Sequence, residues 1–282
     1  MKKIKTVGVI GAGTMGLGIA QVAAMAGYST ILYDTNSTVV DNAFATIEKN
    51  LDKGIEKGKL STKTKQLALN NLTKASELTE IKADLIIEAI IENLEVKQSL
   101  FANLEEINSE DTILATNTSS IPITQIAAKL KRPKNVVGLH FFNPAHIMKL
   151  VEIISGAATE DKVVKQMNDF AKSIGKTAVL AADSPGFIVN RVARHFYVEG
   201  LKALEEGVAD VAGIDRLVEA CGFKMGPFRL MDLIGVDTNF SVTTSMFNAF
   251  HQNSKFRPSR IQEQRVDAGH WGRKSGKGFY EY

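Results

Sequence analysis

Short apolar runs punctuate the first two thirds of the chain, and most are separated by stretches with apolar positions at helical spacing. Ile4 to Ile10 is a β-rich run. Thr14 to Gly27 is an Ala-rich helix carrying Met15, Ile19, Val22 and Met25. Ser29 to Asp34 reads as a second strand, and a long polar helix follows from about Ser37 to Lys59. Ala83 to Ile90 is nearly all apolar, as strands buried on both faces are. Similar runs occur at Thr112–Ala115, Val136–Phe142, Leu150–Ile154 and Thr177–Leu180. This alternation predicts an α/β fold, a doubly wound, mostly parallel sheet with helices on both faces. The pattern changes at Asp183-Ser184-Pro185-Gly186, where Pro-Gly marks a break. Beyond it Phe187 to Glu206 reads as a long helix with Ile188, Val192, Phe196, Leu201 and Leu204 near helical spacing. Two or three more helices follow, with no strand until the last residues. The expected organisation is therefore residues 1–184 as the sheet domain and 185–282 as an all-α C-terminal domain. So small a helical unit with so many apolar side chains is expected to cover part of its surface with a partner subunit.

Composition narrows the class. With 44% hydrophobic and 23% charged residues the chain is an ordinary soluble globular protein. A net charge of +3 is too mild to imply nucleic acid, though it allows a local basic patch for an anionic ligand. Cys221 is the single cysteine, which excludes an intrachain disulfide and a cysteine zinc site and fits a reducing compartment. No apolar run reaches the roughly 18 residues of a membrane span. The basic start Met1-Lys2-Lys3-Ile4-Lys5 precedes a short run broken by Gly8, Gly11 and Gly13, so it reads as a first strand rather than a signal peptide. The expected location is the cytoplasm, with no metal and no membrane or nucleic-acid partner.

Gly11-Ala12-Gly13-Thr14-Met15-Gly16 fits G-x-G-x-x-G. The bare pattern is weak. Here a strand precedes it, a helix follows, and an acidic residue ends the next strand, which makes it a dinucleotide fingerprint in a Rossmann-like fold. Gly11 permits the tight turn, Gly13 lets the backbone approach a pyrophosphate at the helix N-terminus, and Gly16 allows close helix–strand packing. Asp34 stands where a carboxylate accepts from the adenine ribose hydroxyls and repels the extra phosphate of NADP. Thr35 and Asn36 offer no arginine to bind that phosphate, so the expected cofactor is NAD. FAD would also use such a turn, but the further glycine-rich motifs of flavoproteins are missing from the sequence.

Gly138-Leu139-His140-Phe141-Phe142-Asn143-Pro144, followed by Met148–Ile154, places His140 and Glu152 in two apolar, strand-like runs. A buried histidine held by a buried glutamate is a general base whose charged form has a partner. Alone, His140 would read as a satisfied core histidine; beside the fingerprint and Glu152 it reads as the base of an alcohol dehydrogenase. Thr116-Asn117-Thr118-Ser119-Ser120 lies just past a strand, where a parallel sheet places its ligands. In that run Ser119 reads alone as an N-cap for the helix after Pro122, a role that Ser120 suits better.

On these residues the chain resembles the L-3-hydroxyacyl-CoA dehydrogenases, and within them the short bacterial 3-hydroxybutyryl-CoA type. Further matching stretches are Glu88–Asn93, Asp183–Arg191, Met225–Phe228 with Asp232–Asp237, and Gly272–Tyr280. The resemblance implies NAD-dependent interconversion of a 3-hydroxyacyl-CoA and its 3-keto thioester, with His140 as base and Glu152 orienting it. It implies that Ser119 and Asn190 bond the substrate oxygen. It places Glu92 and Lys97 near the NAD ribose and phosphates, Asn117 and Asn143 beside the nicotinamide, and Lys274 as a cofactor contact from the helical domain. It also makes Lys57, among Lys49, Lys53 and Lys59, a contact for coenzyme A phosphates. Lys97 and Lys274 read equally as surface charges, and the Lys57 helix as a solvated face interleaved with Glu48, Asp52 and Glu56. His146 departs from the family pattern and reads as a rim residue. Aromatic bulk at Phe247, Phe250 and Phe256 is compatible with short acyl groups but leaves chain-length preference open, and Ser275 keeps the hydroxyl of the usual threonine. The family tendency is a homodimer through the helical domain.

Two other readings use the same residues. One is an NAD dehydrogenase of a free hydroxy or sugar acid, such as gulonate, which needs no CoA contacts. The other is a non-enzymatic, crystallin-like NAD-binding protein, against which the intact Ser119, His140, Glu152 and Asn190 argue. Butyrate formation, polyester synthesis, and fatty-acid or aromatic-acid breakdown all use the leading chemistry, so the pathway stays open.

Overall fold

Strand and helix alternate up to residue 182 in the order β1 (Thr6–Ile10), α1 (Thr14–Met25), β2 (Ser29–Tyr33), α2 (Ser37–Glu56), α3 (Thr62–Asn70), β3 (Leu72–Lys74), β4 (Leu85–Glu88), α4 (Leu94–Ile107), β5 (Ile113–Thr116), α5 (Ile123–Ala127), β6 (Val136–Phe141), β7 (Leu150–Ser155), α6 (Asp161–Ser173) and β8 (Thr177–Ala182). The structure is a computed structural model that describes residues 3–282; Met1 and Lys2 of the basic start lie outside the described residues. The chain forms two compact units, one ending at Ser184 and one beginning at Pro185.

The eight strands form one sheet in the order β3-β2-β1-β4-β5-β6-β7-β8. All neighbours are parallel except β6 and β7. Chain order reverses direction between β1 and β4, the point where open α/β sheets bind ligands at their carboxyl edge. The core lies across these central strands. Val7, Val9, Leu85, Ile86 and Ile87 are fully buried, each such side chain contributing roughly 1.5–3 kcal/mol by leaving water. That packing fixes the strand ends from which the site is built.

Several boundaries differ from the expected ones, each for a local reason. α2 stops at Glu56 because Gly58 takes a φ of 65° and turns the chain. The polar stretch beyond it makes a separate helix, α3, capped by Ser61. The three-residue β3 was not expected. β4 is shorter than Ala83–Ile90, because the Glu88 carboxylate accepts from the Ile90 amide at 2.7 Å and draws the chain out of the sheet. β8 is apolar in sequence yet an edge strand, with Val179 37% and Leu180 61% exposed.

The second unit holds α7 (Val189–Glu205), α8 (Val211–Ala220), α9 (Pro227–Ile234), α10 (Val236–Ala249) and α11 (Arg260–Asp267). α7 begins after Phe187, whose φ of 49° lies outside the helical range. Two buried aspartates organise this unit. Asp215 accepts from the Phe228 and Arg229 amides, both at 3.0 Å, and so caps α9; it also accepts from the Tyr280 hydroxyl at 2.8 Å. Asp232 accepts from the Phe279 and Tyr280 amides and pins the C-terminal segment. A side chain at Gly278 would collide with Asp232, its Cβ falling 2.1 Å from a carboxylate oxygen.

Candidate active site

The turn after β1 starts from Gly11, whose φ of 96° only glycine adopts readily. A Cβ at Gly11 would lie 2.5 Å from the Ala89 carbonyl oxygen, and one at Gly16 only 1.7 Å from the Gly11 carbonyl oxygen. Both positions are closed by backbone. A Cβ at Gly13 would meet nothing within 4 Å, so there the glycine leaves open space. Gly13 and Thr14 are exposed, whereas Ala12 is buried and Met15 packs on the core. No side chain caps the N-terminus of α1 and no acid lies in its first turn. The first-turn amides of α1 therefore take no side-chain acceptor, which leaves them for a pyrophosphate. Asp34, just past β2, accepts from the Ala12 amide at 2.8 Å and the Asn36 amide at 3.1 Å. The fingerprint acid thus also buttresses the turn it serves, and these residues fit NAD.

Next along the carboxyl edge come the ends of β4 and β5. Glu88, Lys97, Thr116 and Thr118 are all buried. Lys97 was expected near the cofactor or on the surface; the surface reading fails, since the residue is only 1% exposed. Its ammonium lies 2.5 Å from Glu88 and 3.3 Å from Glu92. Glu92 accepts from the Thr118 hydroxyl at 2.6 Å, the Ser119 amide at 3.0 Å, and the Ser120 amide and hydroxyl at 3.2 and 3.0 Å. Burial pushes the Glu92 carboxyl up, but the Lys97 charge and these hydrogen bonds more than offset it and hold it below the usual carboxylate range. Ser120 therefore serves Glu92 and does not cap α5. Asp183 does, accepting from the Ile123 and Thr124 amides, both at 2.8 Å. The Ser119 hydroxyl is half-buried and takes no hydrogen bond among the described residues.

β6 and β7 carry the imidazole and its carboxylate. Antiparallel pairing sets His140 directly opposite Glu152, so both side chains emerge on one face. His140 Nδ1 is 2.8 Å from Glu152 Oε2, and both side chains are buried. With Nδ1–H donating to the carboxylate, Nε2 is the nitrogen that takes a proton. The tilted Phe142 ring packs at 4.6 Å from the imidazole. Asn117 accepts from the Phe141 amide at 2.8 Å and ties the end of β5 to the strand carrying His140. Asn143 is exposed just beyond. The loop that follows is held by buried Lys176, which donates to the Ala145 and Met148 carbonyls at 2.5 and 2.7 Å. His146 is half-buried there, its pKa lowered by burial and by the Lys176 charge.

The remaining expected residues belong to other elements. Lys57 is exposed at the end of α2. The acids thought to interleave with it are engaged elsewhere: Glu48 and Asp52 pair with Lys65 of α3 at 3.1 and 2.6 Å. In the second unit Asn190 is half-buried in the first turn of α7, and Lys274 pairs with Asp237 at 2.7 Å. Glu88, Thr118, Asp183 and Lys176 were missed. Glu88 left a signal, an acid inside an apolar run; Lys176 left none. A cavity of about 560 Å³ opens among Asp84, Glu110, Arg132 and Lys134, near the amino ends of β4 and β5 and so away from this chemistry. Among the described residues no cluster of His, Cys, Asp and Glu could hold a metal, and no helix is long and apolar enough to cross a membrane.

Comparison with known proteins identifies the family. Residues 6–184 match the family described as 3-hydroxyacyl-CoA dehydrogenase, NAD binding domain, and residues 186–282 match its C-terminal domain. The 3-hydroxyadipyl-CoA dehydrogenase of Escherichia coli (strain K12) is 49% identical over 100% of this chain, which spans 60% of that protein's length. A probable 3-hydroxybutyryl-CoA dehydrogenase of Bacillus subtilis is 41% identical, covering 99% of this chain and 98% of the relative. The crystal structure of (S)-3-hydroxybutyryl-CoA dehydrogenase from Ralstonia eutropha superposes with a TM-score of 0.95 at 38% identity, covering 99% of each chain. The chain belongs to the 3-hydroxyacyl-CoA dehydrogenase family of NAD-dependent oxidoreductases.

Proposed function

We propose that this chain interconverts (S)-3-hydroxyacyl-CoA and 3-ketoacyl-CoA, with 3-hydroxybutyryl-CoA and acetoacetyl-CoA as the substrate pair. The observation that carries this reading is the 2.8 Å contact of His140 with Glu152, on the sheet whose switch point holds the glycine turn. In the oxidative direction His140 Nε2 takes the proton of the 3-hydroxyl. Glu152 keeps the ring in the competent tautomer and stabilises the imidazolium. NAD, when bound, supplies the hydride acceptor. Gly11 to Gly16 hold its pyrophosphate and Asp34 its ribose, while Asn117 and Asn143 flank the nicotinamide. Glu92 and Lys97 act on the ribose side, Lys274 adds a contact from the second unit, and Ser119 and Asn190 bond the substrate oxygen. Lys57, exposed and without an acid partner among the described residues, is the proposed contact for a coenzyme A phosphate.

The enzyme is proposed to act as a homodimer through its second unit, in a reducing cytoplasm that suits the exposed, unpaired Cys221. The test is absorbance at 340 nm with acetoacetyl-CoA and NADH, repeated with NADPH and with the free acid. Loss with NADH and the thioester alone is expected. Loss mainly with NADPH would overturn the cofactor reading. Reduction of free acetoacetate as fast as its thioester would favour a free-acid dehydrogenase, and NADH binding without any turnover a structural protein. Because the Escherichia coli relative is named for 3-hydroxyadipyl-CoA, that thioester belongs in the reverse assay, with NAD and a gain of absorbance at 340 nm.

A further inference from the structure

Three lysine or arginine residues are buried among the described residues, and two of them have evident partners. Lys97 lies against carboxylates and Lys176 against two backbone carbonyls. Arg194, on α7 in the second unit, is the exception. It is 3% exposed. Its Nη1 donates to the Asn239 carbonyl at 3.1 Å and to the Thr243 hydroxyl at 3.0 Å, both on α10. Gln262 of α11 braces that contact by donating to the Asn239 side chain at 3.0 Å. The guanidinium carbon lies 5.2 Å from the centre of the Tyr197 ring. All these partners are neutral. Nε is buried and unpartnered, and no carboxylate pairs with the guanidinium among the described residues. The buried aspartates of this unit are committed elsewhere, Asp215 to the start of α9 and Asp232 to the C-terminal segment. Burial pulls the Arg194 pKa down to about 10, which leaves it charged at neutral pH. A buried charge without a counter-charge is costly, and an apolar side chain would fill the position without that cost. Arg194 therefore asks for an anion that this unit does not itself supply.

The geometry narrows the kind of anion. With Nη1 engaged on α10, Nε and Nη2 form the other edge of the guanidinium, the fork that takes both oxygens of a carboxylate. Arg194 follows Asn190 by four residues, so the two share a face of α7, about 6 Å apart along its axis. Asn190 is the proposed contact for the oxygen on C3 of the substrate. We propose that Arg194 is a specificity residue that binds a carboxylate at the far end of the acyl chain, extending the substrates to 3-hydroxyacyl thioesters of dicarboxylic acids. A six-carbon chain, with its second carboxylate three carbons beyond the 3-oxygen, matches one helical turn. This rests on the proposed reaction and on Asn190 as its substrate contact. A methyl-ended chain of the same length would leave the buried cation unpaired, and a site built around a polar group discriminates strongly against a ligand that lacks it.

The test compares (S)-3-hydroxyadipyl-CoA with (S)-3-hydroxyhexanoyl-CoA, which has the same chain length and a methyl end. It reads kcat/KM with NAD on the full-length parent, on Arg194→Met and on Arg194→Lys. The parent is expected to favour the carboxylate-ended thioester by about 10- to 100-fold, the scale of a hydrogen bond to a charged group. In Arg194→Met that ratio should fall to about one or below. Arg194→Lys keeps the charge and loses the fork, so its ratio should lie between the two. A parent with no preference, or one that prefers the methyl-ended chain, overturns the proposal. So does an Arg194→Met enzyme that slows both thioesters alike and keeps the parent's ratio, the mark of a purely structural part. Should Arg194→Met fail to fold, the parent's ratio and that of Arg194→Lys decide in the same way. A parent that oxidises neither of these thioesters nor 3-hydroxybutyryl-CoA overturns the reaction reading and the proposal with it. Oxidation of 3-hydroxybutyryl-CoA without any preference for the carboxylate end removes the role of Arg194 and leaves the reaction standing.

Discussion

An imidazole that takes and returns a proton needs one tautomer and one orientation, and in the proposed reaction Glu152, directly opposite on the neighbouring strand, would supply both to His140. Glu152→Gln keeps the shape and can still accept from Nδ1–H, but it no longer stabilises the imidazolium. We expect kcat to fall on the order of 10²–10⁴-fold, as when an oriented acid–base group is lost, with NADH affinity unchanged by fluorescence titration. An effect below about threefold would remove Glu152 from the chemistry. Asp34 is a second case of one carboxylate with two tasks. Because it accepts from the Ala12 amide, Asp34→Gly would loosen the turn as well as remove the charge. Asp34→Asn retains an acceptor for that amide, so its expected result is a cleaner shift of the NADH/NADPH affinity ratio toward NADPH; an unchanged ratio would contradict the ribose role. His146 bears on stability alone. Its pKa is lowered in the folded protein, so folding favours the neutral ring. That contribution is present above the ordinary histidine pKa of about 6.5 and lost as pH falls through the folded value. Thermal melts at pH 7 and pH 5 should therefore show a smaller acid-induced drop in Tm for His146→Gln than for the parent.

At the scale of elements, the β1–turn–α1 unit separates two uses of glycine that the fingerprint alone does not rank. Gly16→Ala puts a Cβ 1.7 Å from the Gly11 carbonyl oxygen, so strand or helix must move. A loss of at least about 1–3 kcal/mol of stability is expected, the usual cost of overpacking. Gly13→Ala meets no atom and should melt like the parent, yet its methyl group occupies the space the pyrophosphate needs. Calorimetry and NADH titration together decide the matter: a destabilised Gly13→Ala, or one that binds NADH normally, would contradict this division. The apolar runs announced most strands, because buried strands cannot hide their composition. The antiparallel turn between β6 and β7 was also readable in principle: the segment from Phe142 to Lys149 is too short for the crossover of a dozen or more residues that parallel strands require. The Lys97 cluster was not readable. A lysine among acids on a helix looks like a solvated face until the fold shows which acids lie beneath it. Asp183 hid for a similar reason: it caps α5 from 59 residues away, a pairing no local pattern carries.

At the scale of the whole molecule, the two units stand on unequal footing. The first builds its core around a continuous sheet, though Ile91, Ile147 and Leu180 stay exposed on it. The second leaves large apolar side chains in water, among them Val192 at 69%, Leu217 at 68% and Phe223 at 56% exposed, with Leu233, Ile234 and Trp271 also exposed. Single exposed apolar residues need no explanation, but so many on one small helical unit suit a surface that a second copy covers. The sequence carried this hint in the number of apolar residues beyond Pro185, though not in which ones stay outside. In light scattering the protein is expected to run at twice its 30.7 kDa chain mass. Because the partner would bind only the folded chain, Tm should rise with protein concentration. A chain-mass particle with a concentration-independent Tm would mean that this unit tolerates its apolar surface in water. Dimerisation would then have to be dropped, while the chemistry of His140 and Glu152, housed in the first unit, would be untouched.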